Sequence, residues 1–132
     1  MKASELRIGN YYQNKSNDLE LKYKEIQYVE DILYVSVYCD AIPLTEEWLI
    51  KFGFEKVIYE SDETGYGTDY ELEIKGVGCI SYSDDFSCAL FGSKESSQNE
   101  LGFLPNWDNC KHVHSLQNLY FALIGEELKI KE

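Results

Sequence analysis

Apolar and polar residues alternate along this chain with two different periods, and the pattern predicts mostly strands with two helices. Residues 69–75 carry the cleanest two-residue period. Tyr70, Leu72 and Ile74 fall on one side, and Asp69, Glu71, Glu73 and Lys75 on the other, as in an antiparallel strand with one wet face. A strand over 54–59 precedes it, and residues 60–67 form the turn, where Gly65 and Gly67 can adopt positive φ. Gly76-Val77-Gly78 turns the chain again, and residues 79–83 and 86–91 read as a hairpin across Asp84-Asp85. Upstream, residues 5–12 read as an opening strand bent at Gly9-Asn10, followed by a polar turn over 13–20. Residues 23–29 and 33–38 read as a hairpin across Glu30-Asp31, the second arm alternating Leu33, Val35, Val37 against Tyr34, Ser36, Tyr38.

Two segments carry the helical period instead. Over 45–52, Thr45 is placed to cap the first turn, Glu46 and Glu47 suit the positive end of the dipole, and Gly53 stops the helix. Over 115–124, Leu116, Leu119, Tyr120, Leu123 and Ile124 fall at i, i+3, i+4, i+7 and i+8, with Ser115 as cap and Gly125 as stop. Residues 93–109 are irregular, and 126–130 can add a last short strand. The expected fold class is α+β: a mainly antiparallel sheet with two short helices, 45–52 and 115–124. A single domain over 1–132 is expected, because halves of about 65 residues are marginal without staples. No internal repeat or linker interrupts the chain.

Charge narrows the function classes. The net charge is −12, and Arg7 is the only arginine. Nucleic acids and anionic membranes are bound through lysine and arginine, so neither is an expected direct partner. Acidity leaves a basic protein partner, a small-molecule ligand, or plain solubility. Within 57–93 there are eight acids against one lysine, so that segment carries −7 of the total. Strand alternation sets Asp69, Glu71 and Glu73 on a wet face beside a turn holding Glu60, Asp62 and Glu63. This face is the candidate binding surface, able to steer a basic host protein. Tyr66, at a glycine-flanked turn, and Trp107, in the long irregular segment, are the candidate aromatic anchors.

The case for chemistry is thin. Cys110, His112 and His114 would share one face of a strand, and all three residue types ligate zinc. C-x-H-x-H is nevertheless not a structural-zinc spacing, so neither a metal nor a cofactor is expected. The same three residues are the basis of the rival reading, a small enzyme using a Cys/His cluster. A purely structural or interaction subunit is the third reading. No G-x-S-x-G elbow or phosphate-binding loop is present. Cys39, Cys79, Cys88 and Cys110 stand singly, as reduced thiols in a cytosolic protein do. The first nine residues carry charge where a secretory signal has its apolar core, so a cytoplasmic location is expected.

Three blocks carry a resemblance: Leu6-Arg7-Ile8-Gly9-Asn10, the stretch from Ile42-Pro43-Leu44-Thr45 through Phe52-Gly53-Phe54, and the stretch from Val113-His114-Ser115-Leu116 through Glu127-Leu128. Together, over about a quarter of the chain, they resemble small phage and prophage proteins of gut bacteria. That group has no established activity or site residues to carry over. The resemblance implies an accessory protein of a mobile element working in the cytoplasm of a bacterial host cell. A non-enzymatic binding module acting on a host protein or small molecule, with antagonism of host defence as one form, is the leading expectation. An exposed surface of aromatic and acidic residues would favour the binder; a pocket joining the Cys/His cluster to a carboxylate would favour the enzyme.

Overall fold

A computed structural model describes residues 2–14, 23–61, 65–74, 78–83, 88–91, 100–103 and 111–131. The chain divides into two units, Met1–Leu44 with His112–Leu128, and Thr45–Lys111 with Lys129–Glu132. The described residues form a three-stranded and a five-stranded antiparallel sheet with three α-helices, the mixed and mainly sheet class that the alternation predicts.

In the first unit, Ala3–Glu5 forms one 3-10 turn. Gly9 then takes φ +98°, and Asn10 Oδ1 accepts from the Arg7 amide at 2.7 Å. This turn occupies residues expected as an opening strand, because an asparagine bonding to nearby backbone competes with a sheet ladder. Strand β1, Tyr11–Asn14, starts only after it. It lies between β2 (Lys24–Glu25) and β3 (Cys39–Asp40), with Tyr11 opposite Glu25 and Asn14 opposite Cys39.

Residues 33–38 correct the hairpin expected there. They belong to helix α1, Asp31–Tyr38. Ile32, Val35 and Cys39, at i, i+3 and i+7, pack with Leu6, Ile26 and Tyr12, which is helical spacing. The two-residue alternation misleads because both of its sets are largely apolar. Helix propensity opposes Val35 by roughly 0.5 kcal/mol, whereas burying its side chain contributes about 1.5–3 kcal/mol. Tertiary burial therefore decides the segment. Asp31 adds a carboxylate to the positive end of the helix.

Helix α2 belongs to the second unit and is described with it. Helix α3, Val113–Ile124, completes the first unit. His112, not Ser115, is its capping position, and the His112 side chain makes no cap bond. The Val113 amide instead donates to Ile42 O at 2.8 Å, beside an isolated antiparallel bridge between Pro43 and His112. That satisfies one of the amides left open at a helix start. Gly125 ends α3 at φ +75°, as its sequence position predicts. The buried positions are Val113, His114, Leu116 and Gln117. Leu119, Tyr120, Leu123 and Ile124, expected as core, are half-buried. Residues 126–130 form no strand.

A polar network holds this unit together. Gln117 is fully buried. Its Oε1 accepts from the Tyr11 amide at 2.8 Å, and its Nε2 donates to Gly9 O at 3.0 Å and Leu128 O at 3.2 Å. Asn118 Oδ1 accepts from Arg7 Nε at 3.0 Å and from Asn10 Nδ2 at 2.9 Å, while its Nδ2 donates to Glu5 O at 2.6 Å. The Arg7 guanidinium also pairs with the Glu127 carboxylate and lies 4.1 Å from the centre of the Phe121 ring.

In the second unit, α2 spans Glu46–Lys51. Thr45 Oγ1 accepts from the Trp48 amide at 3.4 Å, as the capping pattern predicts. Gly53 takes φ +100°, its amide donates to Ile50 O, and the Phe54 amide donates to Leu49 O. This is a Schellman closure, and its accompanying apolar pair, Leu49 with Phe54, is buried. Strands β4 (Glu55–Ser61), β5 (Gly65–Ile74), β6 (Gly78–Ser83), β7 (Cys88–Phe91) and β8 (Glu100–Phe103) follow as a five-stranded antiparallel meander. Tyr70 and Leu72 stand opposite Tyr82 and Ile80, and all four are buried with Ile74. Cys79 and Ser81, of the other parity, are buried as well, so the middle strand is covered on both faces. β8 falls within the segment expected to be irregular, and a register shift at Leu90/Phe91 accompanies its pairing.

Candidate functional site

Helix α1 buries too little of what it carries. Its eight residues contain one buried side chain, Val35. Leu33, Tyr34, Val37 and Tyr38 are exposed, as are Tyr28 and Val29 in the turn leading into the helix, all six between 52% and 67%. The inward side is filled by Ile32, Val35 and Cys39, so the remaining apolar residues must point outward. Leu33 with Val37 and Tyr34 with Tyr38 are i, i+4 pairs, and the two tyrosine rings lie 5.0 Å apart. Together the six residues expose on the order of 700 Å², tyrosine hydroxyls included, a large and mainly apolar area. Exposed acids flank the patch, Glu30 and Asp31 at the helix start and Asp40 just past its end. The half-buried Tyr12 lies on the inner side. Burial raises its phenol pKa, and Cys39, Asp31 and Tyr34 add to the rise.

The acidic sheet face is less uniform than expected. Glu60 and Glu73 are exposed, but Asp69 and Glu71 are half-buried. In the register, Glu71 stands between Glu55 and Ser81, and Asp69 between Val57 and Ser83. Glu55, which sequence reasoning left out, therefore joins the acids. Tyr66 pairs with Glu60 across β4 and β5 and sits at the strand parity of Tyr70, not that of the three β5 acids. Asp62, Glu63 and Trp107 lie outside the described residues.

The Cys/His cluster loses its premise. His112 occupies the isolated bridge and His114 the first turn of α3, so the two do not alternate along a strand. Their ring centres are 5.9 Å apart, and Cys110 lies outside the described residues. His114 is buried, with Nε2 3.7 Å from a Glu5 carboxylate oxygen, and Nδ1 has no hydrogen-bond partner among the described residues. Burial pushes its pKa below the ordinary histidine value and His112 adds to this, while Glu5 opposes both. Burial and His112 together outweigh Glu5, so the net shift is downward. Among the described residues no three or more His, Cys, Asp or Glu converge as a metal site. Cys39 and Cys79 are buried reduced thiols.

Among the described residues no helix is long and apolar enough to cross a membrane. No family model matches the chain, and neither a curated protein nor a solved structure matches it. Sequence reasoning missed α1 as a surface because it assigned those residues to a half-buried strand. The available signal was the excess of apolar residues over 28–38, more than one face of any short element can bury.

Proposed function

We propose that this chain is a non-enzymatic binding protein that engages a host protein through the outer face of α1. The carrying observation is the cluster of six exposed apolar and aromatic residues with acids at both ends. Aromatic anchors inside a charged rim are how protein interfaces concentrate binding energy. The area on one side approaches the roughly 800 Å² per partner of a standard complex. Direct nucleic-acid binding is disfavoured further by the use of the only arginine, Arg7, in contacts to Asn118, Glu127 and Phe121. In this reading the chain is an accessory protein of a phage or mobile element, and blocking a host defence protein is one form of its action.

The test is a photo-crosslinking residue placed at Leu33, with Ile58 as an equally exposed control, in the full chain expressed in a bacterial host. The expected result is a discrete protein adduct at position 33 that is absent at 58. No adduct at 33, or identical adducts at both positions, would overturn the reading.

A further inference from the structure

Resting on that reading, we infer that the occupant of the α1 face is a basic amphipathic helix of the partner protein, and not a second copy of this chain. Three observations lead there. The first is shape. Leu33/Val37 and Tyr34/Tyr38 make two parallel i, i+4 ridges, and the groove between such ridges receives the ridge of another helix. Eight residues span about 12 Å, which matches roughly two turns of a packed helix. The second is charge. Glu30 and Asp31 flank one end of the patch and Asp40 the other, so lysine or arginine at both ends of a partner helix's apolar stripe would meet carboxylates. The faces of Tyr34 and Tyr38 would accept the same cations.

The third observation excludes the second copy. Each chain carries −12. A parallel pairing of two α1 helices sets Glu30 and Asp31 against themselves, and an antiparallel pairing sets them against Asp40. Both orientations bring acid to acid, which weakens association. The patch also falls short of the roughly 1,000 Å² per side or more that obligate dimers bury. An anionic lipid surface is disfavoured by the same carboxylates.

Two defined peptide probes test this, an amphipathic helix of leucine and lysine and its leucine–glutamate counterpart, each titrated against the full chain at physiological salt. The leucine–lysine peptide should bind, the leucine–glutamate peptide should not, and affinity should fall as salt rises. The charge-neutral pair Leu33→Ala and Tyr34→Ala should weaken binding at least tenfold. Both sites are exposed, and an unchanged circular dichroism melt verifies the fold. Equal affinity in the double variant would mean that the peptide follows overall charge, and would overturn the inference. So would a dimer of the free chain in sedimentation that Leu33→Glu dissociates. If the crosslink at Leu33 succeeds and the leucine–lysine peptide fails, this inference falls and the binding reading stands. If both fail, both fall.

Discussion

Gln117→Leu is the perturbation that best tests how the first unit is held together. The side chain is fully buried and makes three hydrogen bonds to backbone, with Tyr11 N, Gly9 O and Leu128 O, at 2.8, 3.0 and 3.2 Å. Leucine is slightly larger, so the substitution leaves no cavity. What changes is that one buried donor and two carbonyl oxygens lose their partner. Each lost bond removes about 0.5–1.5 kcal/mol net, and a buried group left unsatisfied costs about 1–3 kcal/mol. A buried carbonyl left short of a partner is better tolerated than an orphaned amide, so the lower end applies to Gly9 O and Leu128 O. The expected loss is about 2–4 kcal/mol, a large part of a typical domain's 5–15 kcal/mol. Urea denaturation with an unchanged m-value measures it. Gln117→Glu keeps the acceptor for Tyr11 N but presents a carboxylate to two carbonyls. It should be at least as destabilising at pH 7 and should recover part of the loss at pH 5, where the acid can protonate. A loss below about 1 kcal/mol for Gln117→Leu would refute the reasoning, because the three backbone groups would then be satisfied without this side chain.

Leu116→Ala, at a fully buried position, should cost about 2–5 kcal/mol, while Leu123→Ala, half-buried, should cost clearly less in the same denaturation series. The depressed pKa of His114 makes stability acid-sensitive. Above the unfolded value of about 6.5 both states are neutral and stability is complete; as pH falls below it the unfolded state binds the proton first, so stability drops until the folded pKa is passed. Urea midpoints between pH 7.5 and 5 should show this slope, and His114→Phe should flatten that portion of it. Gly53→Ala should cost about 1–3 kcal/mol from the φ of +100° alone. A Cβ there would also come within 2.7 Å of Lys131 Nζ, a contact that a flexible side chain relieves, so Lys131→Ala should recover little of the loss in thermal melts.

The parts of the fold legible in the sequence are those where one local signal has no competitor. Thr45 and Gly53 bracket α2 because a capping hydroxyl and a glycine at positive φ satisfy the helix ends with residues a few positions away. β5 was legible because charged and apolar residues alternate without exception from Asp69 to Ile74, and only a two-residue period separates them. Gly125 marked the end of α3 for the same local reason as Gly53. The α1 segment had no such signal. Asp31–Tyr38 is apolar at both parities, so a strand and a helix were equally permitted by pattern. The choice fell to the packing of Ile32, Val35 and Cys39 on Leu6 and Ile26, contacts that exist only once distant residues are brought together. The burial of Gln117 and Asn10 is not legible in the sequence, because polarity alone does not reveal a buried partner; Gly9, Tyr11 and Leu128 supply Gln117's partners, and Asn118 meets Asn10 from across the sequence. The candidate surface belongs to this second class. Which apolar residues of α1 stay outside is set by which ones the core has room to take, and that is a property of the assembled unit.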